Sequence, residues 1–318
     1  MITRLAALAL TIATPVIADP LPSWTDTDTK AAIIGFVEAV TDPASPDYVT
    51  PADRIATFDN DGNLWAEQPV YFQLTYAIER LQEQAEADPS ILTSDTLRAA
   101  AEGDMEGMLA GGMEGLMDVL AVSHSGMSVE AFQADVSDWL DNATHPETGM
   151  LYGDMIYQPM LELLRYLRDE DFQTWIVSGG GVHFVRAFAE DAYGIPPEQV
   201  LGSATPTEFD EETNEIMKLP GIAFVDDKAG KPVGIDSRIG RRPIFASGNS
   251  DGDSQMLAYT MAGDGPRFAM LLHHTDAERE FAYDRDSHVG GLERGLDEGP
   301  DRGWVIVDMA SDWSRIWP

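Results

Sequence analysis

Five short, largely apolar runs constrain this chain more than any other feature: Arg54–Phe58, Phe172–Val177 (FQTWIV), Pro243–Ala246, Phe268–Leu272 and Trp304–Val307. Each has the length of a strand, and helical patterns separate them at Met160–Leu167, Val182–Tyr193 and Ser254–Met261, with a further helix at Lys30–Val40. Apolar strands alternating with helices predict an α/β fold with a mainly parallel sheet and helices on both faces. In such sheets ligands bind beyond the carboxyl ends of the strands. Asp59, Ser178 and Asn249 each follow a strand directly, so they are expected to converge on one edge. Residues 200–225 read as short strands with turns.

From Glu67 to Met150 the pattern changes. Leu74, Ile78 and Leu81 have helical spacing, as do Phe132, Val136 and Leu140, and no strand is expected. The near-repeat of MEGM and MEGL within Gly103–Met117 reads as helix packing, with a methionine-lined adaptable pocket as the alternative.

Composition narrows the partners. The 318 residues carry 55 Asp plus Glu against 20 Lys plus Arg, a formal charge of −35, so nucleic acid is excluded as a partner because phosphate backbones need clustered cations. At 44% hydrophobic the chain is too apolar for an acidic disordered protein. The absence of cysteine removes disulfides, thiolate metal sites and thiol nucleophiles. Residues 1–18 carry Arg4, then LAALALTIATPVIA, ending in the small-x-small pattern Val16-Ile17-Ala18. This predicts a signal peptide cleaved before Asp19 and an exported protein, periplasmic or secreted. The run is shorter than the ~20 apolar residues of a membrane anchor, and none is expected.

The chemistry-bearing residues lie at the strand ends. In FDNDGNLW, Asp59 and Asp61 stand two residues apart on a turn opened by Gly62. Neighbouring carboxylates repel, so one stays ionised as a nucleophile while the other holds a proton as acid. Ser178-Gly179-Gly180-Gly181 offers a hydroxyl and free N–H groups at a helix entry, an anion site. Lys231, in GKPVGI ahead of an expected strand, can neutralise phosphate and carboxylate. Gly248–Asp253 (GNSDGD) supplies hard oxygen ligands for Mg²⁺.

These four motifs in this order, across about residues 54–272, resemble the haloacid dehalogenase (HAD) superfamily, and within it the phosphatases related to phosphoserine phosphatase. The resemblance implies a Rossmann-like core (19–65 and 151–318), a helical cap at 66–150 and Mg²⁺-dependent phosphoryl transfer through an aspartyl-phosphate. It assigns Asp59 as nucleophile and Asp61 as general acid and base. Ser178, Gly179, Lys231 and Asn63 become phosphate ligands, with Lys228 the poorer choice of lysine. Asp59, Asp61, Asn249 and Asp253 become the metal set. Two positions depart from the family pattern: Asn63 stands where Thr is usual, and Asn249 where Asp is usual. Dehalogenase chemistry is disfavoured because it needs no acid at the place of Asp61.

The substrate expected is a small phosphomonoester. The cap contains 16 Asp plus Glu and only Arg80 and Arg98, which disfavours polyanionic substrates. An amine or choline group held by Trp65, Tyr71, Phe72 and Tyr76 is one reading, and core packing of those rings is the preferred one. The six histidines form no metal motif and are given structural roles, including His183 and the pair His273-His274. A phosphotransferase, or a non-catalytic periplasmic binding protein with a degenerate metal and anion site, are the alternatives. Asn63 and Asn249 are the features that favour the binding protein.

Overall fold

A computed structural model describes residues 18–318. Apart from Ala18, the expected leader lies outside the described residues. Among the described residues eight strands form: β1 (Ile55–Phe58), β2 (Gln173–Gly181), β3 (Val200–Ser203), β4 (Thr207–Asp210), β5 (Glu215–Lys218), β6 (Phe245–Gly248), β7 (Phe268–His273) and β8 (Val305–Asp308). Six make one parallel sheet in the order β3-β2-β1-β6-β7-β8, while β4 and β5 form a separate antiparallel hairpin. The strand order reverses between β1 and β6, which opens a crevice at their carboxyl ends.

Alternation along the strands explains why both faces are covered. Phe58, Ile176, Phe245, Met270 and Leu272 face α1 (Asp28–Thr41) and α7 (Gln158–Asp169), through Ile33, Val37, Leu163 and Leu167. Val177, Ala246, Ala269 and Leu271 face the opposite side, against Ile235 of α10 (Gly230–Arg238) and Met256 and Leu257 of α11 (Ser254–Met261). A sheet buried on both sides needs continuous apolar runs, which is why the strands were readable.

Between β1 and α7 lie α2 (Phe72–Ala87), α3 (Asp95–Glu102), α4 (Met105–Ala110), α5 (Gly112–His124) and α6 (Val129–Asn142). Ile78, Leu81, Leu97, Met108 and Val119 build a small core of their own there. Phe72 and Tyr76 of α2 and Phe132, Val136 and Leu140 of α6 instead join the main core, so the helical insertion is rooted in the sheet domain. Among the described residues no helix is long and apolar enough to cross a membrane.

Two local expectations are corrected. GKPVGI does not lead into a strand; it is the body of α10. Its buried residues Lys231, Gly234 and Ile235 follow the i, i+3, i+4 helical rule, while Val233 points outward at 57% exposure. Pro232 fits the first turn, where its missing N–H is not needed. Val182–Tyr193 is not one helix but two, α8 (Val182–Arg186) and α9 (Ala189–Tyr193), broken where Phe188 stacks on Trp65 with ring centroids 4.5 Å apart.

Candidate active site

The ends of β1, β2 and β6 and the start of α10 meet around one ammonium. Lys231 Nζ lies 2.8 Å from Asp59 Oδ1 and 2.6 Å from Asp253 Oδ1, and donates to the Val177 carbonyl at 2.9 Å. Lys231 is buried; Lys228 is exposed and takes no part. Asp61 follows two residues after Asp59, its Oδ1 accepting from Trp65 Nε1 at 2.8 Å. Asp59, Asp61, Lys231 and Gly179–Gly181 share the wall of a cavity of about 600 Å³. The fourth-motif loop is adjacent: Ser250 lines the same cavity.

Four of the assigned residues behave differently from the family pattern. Asn63 is fully buried; its amide donates to the Asp59 carbonyl at 2.9 Å and accepts from Ser247 Oγ at 2.7 Å. Expected as a phosphate ligand, it instead braces the Asp59 turn against β6. Asp253 is corrected from a metal ligand. One of its oxygens holds Lys231, and the other accepts from the Asn249 and Ser250 N–H groups at 3.0 and 3.1 Å. Ser178 is buried beneath the wall, its Oγ accepting from the Gly180 N–H at 3.0 Å, so the glycines rather than the hydroxyl face the cavity. Asn249 donates through Nδ2 to Glu67 Oε1 at 2.7 Å, which leaves its Oδ1 buried without a partner.

Glu67 had no assigned role in the motifs, yet it lines the cavity at 2% exposure. Its Oε1 accepts from Tyr283 Oη at 2.8 Å as well as from Asn249. Two glycines permit this approach. A Cβ at Gly62 (φ +68°) would overlap Asn249 Nδ2 and Glu67 Oε1, and one at Gly290 (φ +64°) would overlap Glu67 Oε1. The signal was present in the sequence: Glu67 is the sole charged residue from Gly62 to Ile78.

Electrostatics follow from this crowding. Burial first, then the Asp253 charge, raise the Asp59 pKa well above the usual carboxylate range, against the pull of Lys231. Burial raises Asp61 also, opposed by the Trp65 hydrogen bond. Glu67 is pushed well up by burial and then by Asp61. Asp59 and Asp253 thus contact a single ammonium, with Asp61 and Glu67 on the same cavity wall, an excess of negative charge that a divalent cation would relieve. The donor set fits a hard cation: the Asn249 Oδ1 atom is buried without a hydrogen-bond partner, and the Asp59 carboxylate beside it is paired only with Lys231. Among the described residues no three acidic, His or Cys side chains form a cage by themselves, so the set is mixed carboxylate and amide.

The aromatic cage for an amine is not formed. Trp65, Phe72 and Tyr76 are core residues at 1%, 0% and 2% exposure, and of the four rings only Tyr71 reaches the cavity wall. Among the described residues Glu67 is also the sole carboxylate of 66–150 on that wall, so the charge of the helical insertion is directed elsewhere.

Beside α10, Asp226 is fully buried and neither carboxylate oxygen has a partner. Burial pushes its pKa up to about 7, with Lys231 opposing and Asp227 adding. An acid whose folded pKa is raised favours the fold while protonated, and that contribution is lost as pH rises through the folded value. Asp226→Asn should therefore raise the melting temperature at pH ~8 and have little effect near pH ~4, close to the unfolded pKa. An equal shift at both pH values in thermal unfolding would contradict this.

Solved structures share the fold. A conserved functionally unknown protein from Anaerococcus prevotii DSM 20548 superposes with a TM-score of 0.55 at 16% identity, covering 82% of this chain and 89% of that chain. A protein with unknown function from Bordetella pertussis Tohama I gives 0.50 at 16% identity, covering 80% and 98%. No curated protein sequence matches the chain significantly. The family model for haloacid dehalogenase-like hydrolases matches residues 56–258, the span that contains Asp59, Asp61, Ser178, Lys231 and Asn249. With well over half its length matched, the chain belongs to the haloacid dehalogenase-like hydrolases.

Proposed function

We propose that the protein is a Mg²⁺-dependent phosphomonoesterase that works through a phosphorylated Asp59. The observation that carries this reading is the pairing of Asp59 with Lys231 at 2.8 Å on the wall of a cavity that Asp61 also lines. A dehalogenase would have no use for the second acid. In this reading 19–65 and 151–318 are the catalytic core and 66–150 the cap. The leader predicted for residues 1–18 would place the enzyme outside the cytoplasm.

Asp59 attacks phosphorus through a carboxylate oxygen, and the bond from phosphorus to the ester oxygen breaks. Asp61 gives its proton to the departing alkoxide. Burial, which raises its pKa, favours the protonated form this step needs, and Trp65 holds Oδ1 so that Oδ2 carries the proton. Asp61 then takes a proton from water, which attacks the acyl phosphate and returns the Asp59 carboxylate with inorganic phosphate. Lys231 offsets charge on Asp59 and on the phosphoryl oxygens, while the Gly179–Gly181 run lines the same cavity and lets the phosphoryl group approach the backbone. Asp59 and the Asn249 oxygen, with the Asp61 carbonyl in the family pattern, would hold Mg²⁺, which supplies charge neutralisation for Asp59 and the phosphoryl group.

Release of phosphate from p-nitrophenyl phosphate in the presence of Mg²⁺, absent in chelator, is the expected activity. Asp59→Asn should lower it by at least about a thousand-fold, with an unchanged circular dichroism spectrum. A wild-type protein that binds phosphate but never releases it from an ester would instead favour the binding-protein reading.

The Asn249–Glu67 pair makes a second prediction. Asn249→Asp restores the family's usual acid but places it against Glu67 Oε1, where the amide now donates at 2.7 Å. Without metal it should lower the melting temperature, and adding Glu67→Gln should recover most of the loss, a coupling of about 1 kcal/mol or more. Additive effects of the two substitutions in thermal unfolding would show that the residues do not share a charge site.

A further inference from the structure

The same cavity has a second polar group, contributed by the β4–β5 hairpin and the α5–α6 region. Lys218, the last residue of β5, is 3% exposed and lines the wall. Its Nζ lies 3.1 Å from His183 Nδ1 and 3.3 Å from Thr205 Oγ1, and sits 4.3 Å from the centroid of the Phe132 ring. Among the described residues no carboxylate lies within 4.0 Å of it. This contrasts with Lys231, which has two.

The placement is held by the backbone. Gly126 N–H donates to the Lys218 carbonyl at 3.0 Å, and Lys218 N–H donates to the Met127 carbonyl at 2.9 Å, so β5 is clamped to the turn between α5 and α6. His183 is kept neutral: burial, then Lys218, lower its pKa to about 4. Its Nδ1 accepts from the ammonium, which puts the imidazole proton on Nε2. A buried cation given only neutral partners and a π face is costly unless an anion completes the site.

We propose that Lys218 is a specificity-determining residue that receives a carboxylate on the leaving group, so that the preferred substrate is a phosphomonoester of a largely apolar alcohol carrying one remote carboxylate. The inference rests on the hydrolase reading for the identity of the reacting phosphate. A cavity of about 600 Å³ holds far more than a phosphate group, at roughly 30 Å³ per water molecule. Leu74, Met117, Leu120, Phe184 and Val225 line it, which suits an apolar body. One ammonium matches one carboxylate and leaves a second dianionic phosphate undercompensated; an amine would be repelled.

The test uses a chain-length series of ω-phosphooxy carboxylates, each paired with its methyl ester, and reads the acid-to-ester ratio of kcat/KM. The wild-type ratio should reach about ten or more at one chain length, chiefly through KM, and should fall to about one in Lys218→Met and survive in Lys218→Arg. Because a ratio is read within each protein, general damage to the variant cancels. A wild-type ratio near one at every length, or a ratio that survives in Lys218→Met, overturns the proposal. Calorimetric binding of the matching phosphonates gives the same comparison without turnover. Acid-over-ester preference there, with no hydrolysis of any ester, would defeat the hydrolase reading while upholding Lys218. Hydrolysis without the preference would do the reverse.

Discussion

Everything at the carboxyl edge of the sheet is arranged around the Lys231 ammonium. It bridges Asp59 at the end of β1, the Val177 carbonyl in β2 and Asp253 in the loop after β6, three segments far apart in sequence. An isolated charge would not be tolerated at 1% exposure. Removing one member of a buried, hydrogen-bonded ion cluster typically costs ~3–5 kcal/mol, because the others are left uncompensated. The lysine therefore fixes Asp59 and the crevice together, and α10 delivers it.

That cluster holds more carboxylates than cations. Asp59, Asp61, Glu67 and Asp253 exceed what Lys231 can neutralise, and burial drives the first three toward protonation. The same excess makes the site receptive to a divalent cation, while burial raises the Asp61 pKa toward the acid form. The change of the fourth-motif acid to Asn249 fits this balance: Glu67 brings a carboxylate to the pocket, and an amide at 249 can donate to it where a second acid could not. Glu67 and Asn249 are thus best understood as one unit.

Legibility in the sequence tracked burial periodicity. The parallel sheet and its helices were readable because runs such as FQTWIV and FAMLL are apolar on both faces, and Ser254–Met261 begins and ends as its pattern requires. Asp59 and Asp61 were marked by the turn, and Lys231 by its place in the motif order. The helix around Lys231 was missed because Val233 and Ile235 look like alternate strand residues, when only Ile235 is buried. Asn63, Asp253 and Ser178 were given direct ligand roles because a motif specifies neighbours and not the direction of a side chain. Glu67 and Lys218 were missed because each acts through contacts about 180 and 35 residues away in sequence. Each nonetheless stood out in the sequence, Glu67 as the sole charged residue from Gly62 to Ile78 and Lys218 as the sole Lys or Arg between Arg186 and Lys228.

In the proposed mechanism the Asp59 carboxylate forms a bond to phosphorus. Acid quenching during turnover, followed by borohydride reduction, converts an aspartyl-phosphate into homoserine that peptide mass spectrometry can place. Homoserine at position 59 and nowhere else is the expected result. Turnover that leaves position 59 as aspartate, or that marks another residue, would contradict it.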